Sequence, residues 1–416
     1  MSDSPSAPAP GLLSLDEALS RLLAAGAQCV IQQADDVATL QALGRVLAED
    51  VRSGLDVPPA DNSSMDGYAL RLADVPAAGV VLPVSQRIPA GVVGGALAAG
   101  TAARIFTGAQ IPSGADAVVM QEQCAPVDPQ SVRVDTVPAA GQWIRRRGED
   151  IAAGATVLAH GTVLTPQAMG LAASVGRATV RVLRRPRVAL FSTGDELAMP
   201  GEPLKPGGIY NSNRFTLTGL LQASGCDVKD LGIVPDRLEA TRQALRVAAE
   251  GVDLILTSGG VSVGEEDHLK PAMRLEGRLD LWQVTMKPGK PLAFGAVRRE
   301  DGSEALFVGM PGNPVSSFVT YLLTVAPLLR ALQGRPARPP AAYALRADFD
   351  WPRPDRRREF LRVRLNGQGG LDLFPNQSSG VLTSTVWADG LVDVPALQPI
   401  ARGDSVRFLP LNALLG

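Results

Sequence analysis

The stretch Ser258-Gly259-Gly260-Val261-Ser262-Val263-Gly264 decides the fold, because it directly follows the mostly apolar segment 252–256. A β-type run that ends in a Ser/Gly loop places backbone N–H groups at the carboxyl end of a parallel strand, where open α/β sheets bind anions. A tight strand-to-helix turn would explain the same glycines. Two more polar loops, Lys287-Pro288-Gly289-Lys290-Pro291 and Pro311-Gly312-Asn313-Pro314, lie beside apolar runs of their own. Three such loops favour one shared ligand crevice over three unrelated turns.

Strand-like and helix-like segments alternate between residues 187 and 332. This alternation predicts a three-layer α/β domain, in which helices cover both faces of a parallel or mixed sheet. The candidate strands are 188–191, 228–234, 252–256, 292–294 and 306–308, and the candidate helices are 215–223, 238–250, 268–275 and 315–332.

The rest of the chain divides into regions of different pattern. Ser14-Leu15-Asp16-Glu17 has the form of a capping box and predicts a helix at the start of the folded part. Gly and Pro separate short Val/Ile/Leu runs in 51–149, and a Pro-rich linker at 334–340 precedes a β-type region that fits a small barrel or a sandwich. The predicted organisation is a disordered tail (1–11), a discontinuous first domain (12–50 and 150–185), a β-rich domain (51–149), an α/β domain (186–334) and a C-terminal β-domain (335–416).

Composition excludes several classes of protein. The chain has 416 residues, enough for two to four domains, and its net charge of −2 provides no global field for nucleic acid or an anionic membrane. The three cysteines (Cys29, Cys124 and Cys226) are far apart, which argues against a disulfide framework or a zinc site and favours a reducing cytoplasm. No apolar stretch approaches the roughly 20 residues of a membrane-spanning helix. We therefore expect a soluble protein.

Charged residues at the predicted strand ends suggest specific chemistry. Glu196 lies in Thr193-Gly194-Asp195-Glu196, suited to a cation or a ribose, and Asp236 follows another strand; each segment would also serve as a turn or helix cap. Asp267 follows two glutamates, which is common in a solvated first turn, yet beside phosphate-binding amides it suits Mg²⁺. Lys287 and Lys290 flank a Pro-Gly turn and could hold an oxyanion, although exposed lysines need no ligand.

The β-rich region contains a dense polar cluster, Asp61-Asn62-Ser63-Ser64-Met65-Asp66-Gly67-Tyr68-Ala69, which holds more hydrogen-bonding side chains than one turn needs. Phe106-Thr107-Gly108 and the run 145–150 add further polar groups, although an arginine run is most often a salt-bridged surface. His160 and His268 are the only histidines, so the sequence indicates neither a transition-metal site nor a Ser-His-Asp arrangement.

Taken together and in order, these motifs resemble the signature set of the molybdopterin molybdenumtransferases, the MoeA family, which includes the gephyrin E domain. The resemblance covers nearly the whole chain. It rests on the segments 61–69, 106–108, 147–150, 192–197, 258–264, 287–291 and 311–314.

The resemblance implies a fold and a reaction. It implies a homodimer whose subunits have a discontinuous first domain, a β-rich lever domain, an α/β domain that binds the pterin nucleotide, and a C-terminal β-barrel. The substrates would be molybdate and adenylylated molybdopterin; the pyrophosphate link is cleaved, AMP leaves and molybdenum enters the dithiolene. Mg²⁺ would be the cofactor, and partners could include other proteins of molybdenum cofactor biosynthesis.

The resemblance also assigns site residues by motif position. The nucleotide and Mg²⁺ would be bound by Glu196, Asp236, Ser262 and Asp267, with Glu196 and Asp267 as the metal ligands. Molybdate or the pterin phosphate would be held by Lys287, Lys290, Ser316, Arg362 and Ser379, and the partner subunit would supply Asp66, Thr107 and Asp150.

One position departs from the family pattern. Gln283 stands four residues before Lys287, where some members carry another lysine, and Arg274 or Arg278 could compensate for the lost charge.

Two other functions stay open. A molybdopterin adenylyltransferase would share the α/β domain but would need neither the 61–69 cluster nor the barrel, and a gephyrin-like scaffold would need only a dimer surface.

Overall fold

The computed structural model describes residues 12–260 and 268–415. Within them the helices are α1 (Leu15–Gln28), α2 (Pro166–Ser174), α3 (Ser212–Ala223), α4 (Leu238–Ala249), α5 (Leu269–Glu276), α6 (Pro314–Thr320), α7 (Ala326–Leu332), α8 (Thr383–Trp387) and α9 (Leu411–Leu415), with a π-helical turn at Tyr321–Val325 and short 3-10 turns at Thr39–Gln41, Leu72–Asp74 and Gln121–Gln123.

The strands follow in chain order. They are β1 (Leu12–Leu13), β2 (Ala34–Ala38), β3 (Val51–Arg52), β4 (Asn62–Ser63), β5 (Gly67–Leu70), β6 (Val80–Ile88), β7 (Ala102–Ile105), β8 (Ala117–Met120), β9 (Cys124–Asp128), β10 (Ser131–Val134), β11 (Ile144–Arg145), β12 (Thr156–Leu158), β13 (Thr179–Leu183), β14 (Arg187–Thr193), β15 (Leu197–Ala198), β16 (Ile209–Tyr210), β17 (Asp227–Val234), β18 (Leu254–Ser258), β19 (Gly277–Val284), β20 (Met286–Lys287), β21 (Pro291–Arg298), β22 (Glu304–Met310), β23 (Tyr343–Ala347), β24 (Arg358–Leu365), β25 (Gly370–Leu373), β26 (Gly390–Val394) and β27 (Ser405–Pro410).

The chain forms two compact units, one from Met1–Ala34 and Leu183–Gly416 and the other from Asp35–Val182. The first unit contains a seven-stranded sheet of order β1-β19-β21-β22-β18-β14-β17. β22, β18, β14 and β17 run parallel, whereas β21 is antiparallel to both β19 and β22. The sheet is mixed because the short loop between β21 and β22 can join only antiparallel strands.

Helices cover both faces of this sheet, as the alternating pattern predicted. Along β14, Val188 and Leu190 enter a core with α1, α3, α6 and α7, whereas Ala189 and Phe191 enter a second core with α4 and α5. All of these strand residues are buried, which explains the continuous apolar run in the sequence.

Helix α1 belongs to the first unit, whereas the sequence analysis grouped residues 12–50 in the discontinuous first domain. The predicted capping box is present: Ser14 Oγ accepts from Glu17 N–H at 3.1 Å, and Glu17 Oε2 accepts from Ser14 N–H at 2.8 Å. The apolar face of the helix packs against α7, where a Cβ added at Gly26 would lie 2.9 Å from Ala331 Cβ. Close helix packing therefore places α1 in this unit.

The C-terminal β-region is a closed barrel and not a sandwich. β24 pairs with β25, β25 with β23, β23 with β27, β27 with β26, and β26 again with β24. Its interior holds a separate apolar cluster that includes Phe349, Leu361 and Val392. The short strand β20 pairs in parallel with β24, so the loop after β19 is joined to the barrel by backbone hydrogen bonds.

The second unit is β-rich. Its largest sheet has six strands in the order β8-β5-β7-β6-β10-β9, and β3, β4, β11, β12, β2 and β13 form two-stranded ladders. A distinct apolar cluster joins Leu47 and Val51 to Ile151, Leu164 and Val182. Chain segments before and after the β-rich region therefore share one core.

The apolar helical segment Pro314–Leu332 is long and apolar enough to cross a membrane by length and composition, although the sequence analysis expected no such stretch. However, 78% of its most apolar window is buried inside the protein. The segment is apolar because it packs against the central sheet, as a helix in a protein core does.

The central strand β14 allows a test of the packing. Leu190 is fully buried, so Leu190→Ala should lower the free energy of unfolding by about 2–5 kcal/mol through lost burial and a residual cavity. Urea denaturation would measure the change. Val386→Ala is the control, because Val386 is 86% exposed and its truncation should have little effect. Equal losses in the two variants would contradict the assigned core.

Candidate functional site

The carboxyl ends of the strands bring the predicted polar loops together. The register pairs Ser192 with Ser258 and Ser258 with Met310, so β14, β18 and β22 end at the same level. β19 runs in the same direction, and its carboxyl end leads into the lysine loop 285–290. From β14 the chain moves to β17 on one side and then returns to β18 on the other. This reversal creates a topological switch point, where α/β sheets bind ligands.

A cavity of about 1070 Å³ opens at this edge. Its walls come from the loops after β14, β17, β18, β19 and β22 and from the segment 377–382 next to the barrel. The predicted residues on its wall are Glu196, Asp236, Ser258, Gly259, Gly260, Lys287, Lys290, Pro291, Pro311, Pro314, Ser316 and Ser379.

Backbone geometry explains the two glycines after β18. Gly259 and Gly260 have φ values of +91° and +67°, which L-residues adopt only at a cost. A Cβ at position 259 would also lie 2.6 Å from the carbonyl oxygen of Thr193. The chain can therefore turn at this point, against the end of β14, only with glycine.

Asn213 holds two of the loops together, and the sequence analysis did not identify it. Its side chain is buried, and its Nδ2 donates to Ser258 Oγ and to the carbonyl oxygen of Gly312, each at 2.7 Å. An asparagine in the first turn of a helix was the available signal, but its two partners are distant in sequence.

Two helices begin at the cavity. α3 starts at Ser212 after its N-cap Asn211, and α6 starts at Pro314 after Asn313; all four residues lie on the wall. The first N–H groups of a helix have no partner within the helix, and the helix dipole favours negative charge at that end. Two of these groups already have partners, since Arg214 N–H donates to Asn211 Oδ1 at 3.1 Å and Val315 N–H donates to the Ser379 carbonyl at 3.0 Å. The positive ends of the two helix dipoles still favour an anion in the cavity.

The two lysines of the cavity have different surroundings. Lys287 Nζ lies 3.1 Å from Oε1 of the buried Glu359 and 3.4 Å from Oδ2 of Asp355, both from the barrel. Lys290 is exposed and forms no ion pair within the described part of the chain. Lys287 is thus held in place, whereas Lys290 is available to a ligand.

Glu359 and Asp355 are themselves fixed. Glu359 Oε2 accepts from Trp351 Nε1 and from the backbone N–H of Asp355, each at 2.8 Å. Hydrogen bonds from Arg357 hold the pKa of Asp355 well below its ordinary value. Arg357 also lies on the cavity wall, although it was not among the predicted residues. It is one of three consecutive arginines, 356–358, and the sequence does not distinguish it from the other two.

Arg362 lies behind the wall and not on it. Its side chain is 1% exposed, and its guanidinium donates to Ser384 Oγ and the Ser378 carbonyl, each at 3.2 Å. Burial lowers the pKa of Arg362 to about 10. These contacts hold the backbone of the segment that carries Ser379.

Three predicted residues belong to the second unit. Asp66 Oδ1 accepts from the backbone N–H of Thr107 at 2.8 Å and from its hydroxyl at 2.7 Å, and these bonds lower the pKa of Asp66. Asp150 is exposed, and its N–H donates to the Val57 carbonyl at 3.0 Å. The structure therefore brings Asp66 and Thr107 together without adding Asp150 to the pair.

The neighbouring arginine run forms a salt-bridged surface. Arg146 Nη1 lies 2.7 Å from Asp61 Oδ2, and Arg147 Nε lies 2.5 Å from Asp56 Oδ2.

Ser262 and Asp267 lie outside the described residues. Within 12–260 and 268–415, no group of three or more His, Cys, Asp or Glu side chains is placed to hold a metal.

Known proteins share this architecture over nearly the whole chain. Three family models match: the MoeA N-terminal region (domains I and II) at residues 13–176, a probable molybdopterin binding domain at 189–331, and the MoeA C-terminal region (domain IV) at 344–411. The molybdopterin molybdenumtransferase of Haemophilus influenzae is 37% identical, covering 97% of this chain and 100% of that protein. The chain belongs to the MoeA family.

Further matches agree with this membership. Molybdopterin molybdenumtransferase 2 of Mycobacterium tuberculosis is 39% identical over 89% of this chain and 94% of that protein. The crystal structure of the MoeA protein of Pyrococcus horikoshii OT3 superposes with a TM-score of 0.82 at 29% identity, covering 96% of this chain and 100% of that one. The predicted family and the predicted multidomain fold, with its α/β domain and its barrel, are confirmed.

Asn213 provides a test of the site's construction. Asn213→Ala would leave the buried Ser258 hydroxyl without its side-chain donor and would release the Gly312 carbonyl, so the free energy of unfolding should fall by about 1–3 kcal/mol. Thermal or urea unfolding would measure the loss. Asn412→Ala, at an exposed asparagine on α9, is the matched control. A variant as stable as the control would show that Asn213 does not hold the loops.

Proposed function

We propose that this MoeA-family protein is a transferase of the last step of molybdenum cofactor biosynthesis: it inserts molybdenum from molybdate into adenylylated molybdopterin and releases AMP. The observation that carries the proposal is the cavity at the switch point, where two lysines, two helix N-termini and two carboxylates meet. Relatives that match nearly the whole chain bear the name of this activity.

The cavity suits a long anionic substrate. Pockets for small ligands are typically about 300–1,000 Å³, and a cavity of about 1070 Å³ accommodates a pterin joined to a nucleotide. The Gly259 N–H already donates to the Met310 carbonyl at 3.2 Å, so the Ser258 hydroxyl, the Gly260 amide and the starts of α3 and α6 would bind the pyrophosphate, with Asp236 available to the nucleotide. We propose that Ser262, two residues after Gly260 in the sequence, also binds the nucleotide.

Two carboxylates on the cavity wall are suitable donors for Mg²⁺. The carboxylates of Glu196 and Asp236 lie on the wall, and neither forms an ion pair within the described residues. Oxygen donors of this kind, together with substrate phosphates, are what Mg²⁺ prefers. We propose Glu196 and Asp267 as its ligands; when bound, the ion neutralises charge on the pyrophosphate.

Molybdate would bind at the barrel side of the cavity. Lys287 and Lys290 supply positive charge, while Ser316 and Ser379 supply hydroxyl groups for a tetrahedral oxyanion. Arg362 would act indirectly, because it supports the backbone around Ser379. When an oxygen of water or molybdate forms a new bond to phosphorus and the P–O bond to the leaving AMP breaks, Lys287 and Lys290 would stabilise the charge that develops on the phosphate oxygens.

Quaternary structure and location are part of the proposal. We propose a cytoplasmic homodimer in which Asp66, Thr107 and Asp150 of one subunit complete the site of the other. Other proteins of molybdenum cofactor biosynthesis are proposed partners that deliver the substrate or receive the product.

AMP release tests the function directly. The purified protein, Mg²⁺ and adenylylated molybdopterin should release AMP in a molybdate-dependent reaction, followed by chromatography. An adenylyltransferase would instead consume ATP and molybdopterin, and a scaffold would release no AMP. Either of these outcomes would refute the proposed reaction.

Lys290 tests the molybdate site. Because a hydrogen bond to a charged group contributes roughly 1.5–3 kcal/mol, Lys290→Ala should raise the half-saturating molybdate concentration about tenfold to a hundredfold. Binding of AMP should change little. Lys205→Ala is the control, since Lys205 is exposed and lies off the cavity wall. Weaker AMP binding with an unaltered molybdate requirement would contradict the assignment.

A mixed dimer tests the shared site. If Asp66 and Asp236 act at one site from different subunits, Asp66→Ala and Asp236→Ala homodimers should both be inactive. Their mixed dimer would have one site with both lesions and one intact site, so about half the wild-type activity should return. Co-expression with two tags and double purification would isolate it. A mixed dimer without activity would indicate a site built within one chain.

A further inference from the structure

Four side chains stack on one face of the large sheet in the second unit. The register pairs Tyr68 of β5 with Arg104 of β7, and Arg104 with Arg87 of β6. Phe106 lies just beyond β7, and two guanidinium groups lie over its ring: Arg87 at 4.5 Å and Arg104 at 4.6 Å from the ring centroid. Arg104 also lies 5.2 Å from the ring of Tyr68. The result is a continuous cation–π stack.

The two arginines are held differently. Arg104 Nη1 donates to the Gly67 carbonyl at 2.9 Å, and its Nη2 donates to Gln121 Oε1 at 2.6 Å. Arg87 is exposed, and within the described residues its guanidinium has neither a hydrogen-bond acceptor nor an ion-pair partner. Stacking occupies the face of a guanidinium and leaves its N–H edge free. Arg87 therefore presents an unused fork of donors.

The stack adjoins the Asp66–Thr107 pair. Thr107 directly follows Phe106, and Asp66 precedes β5 at the same end of the sheet. Asp66 accepts two hydrogen bonds from Thr107, and no described carboxylate lies within ion-pair distance of Arg87 or Arg104. Arg104 lies near enough to Asp66 to help lower the pKa of that carboxyl, whereas Arg87 carries a positive charge with no described carboxylate partner, beside the proposed catalytic pair.

We infer that Arg87 is a phosphate-binding residue, which contacts the pyrophosphate of the substrate through its guanidinium edge while the ring of Phe106 holds it in position. The inference rests on the proposed function, in which Asp66 and Thr107 reach the partner's cavity. Arg87 lies at the same end of the same sheet and would therefore reach that cavity too. A planar fork matches two oxygens of a phosphate group, and a stacked guanidinium loses little freedom on binding.

The test compares Arg87→Gln and Arg87→Lys with Arg133→Gln as the matched control. Arg133 lies on β10 of the same sheet and already pairs with Asp135 at 2.7 Å. Steady-state AMP release gives KM for adenylylated molybdopterin and kcat, and calorimetry with AMP and with inorganic pyrophosphate gives Kd. Circular dichroism and the unfolding temperature verify that the variants fold.

Arg87→Gln should raise KM and the pyrophosphate Kd roughly tenfold or more while kcat changes far less, because a charge-assisted contact is lost. Arg87→Lys should recover only part of this loss, since an ammonium lacks the fork. Unchanged KM and Kd in an active Arg87→Gln enzyme, or full recovery with lysine, would overturn the inference. Absence of AMP release from the wild type would instead refute the proposed function, and pyrophosphate binding would still test Arg87.

Discussion

Burial of the central strands on both faces is the constraint on which the rest of the first unit depends. β14, β18 and β22 are covered by helices on each side, so their interiors hold apolar residues and their polar groups lie at the ends. Because these strands are parallel and in register, the ends coincide at one edge. A polar site at that edge follows from the packing, and the loops supply its chemistry.

The barrel supplies the residues that position the lysine loop at the cavity. Pairing of β20 with β24 joins the lysine loop to the barrel, and Glu359 and Asp355 then lie against Lys287. A buried carboxylate needs a partner, since an unpaired buried charge is strongly destabilising. The ion pair that compensates the charge of Glu359 therefore fixes one cation of the cavity. Lys290, three residues further on, is left for ligands.

Arg362 illustrates how a charged residue can serve a site without lying on it. Its guanidinium has no carboxylate partner within the described residues and is instead satisfied by hydroxyl and carbonyl oxygens of 378–384. Burial disfavours its charged form, so the pKa falls. Its hydrogen bonds hold in place a loop that lines the cavity, and they connect the outer face of β24 to the ligand wall.

Local patterns in the sequence determined much of this protein: the alternation of strands and helices, the capping box of α1, the glycines after β18 and the motif series of the MoeA family. Only the tertiary structure decided that β21 turns the sheet mixed, that α1 packs on α7, and that Asn213 and Arg357 belong to the cavity. The difference has a physical origin. Propensity, capping and turn strain act between neighbours in the chain, whereas register, helix docking and the partners of a buried side chain depend on residues far apart in sequence.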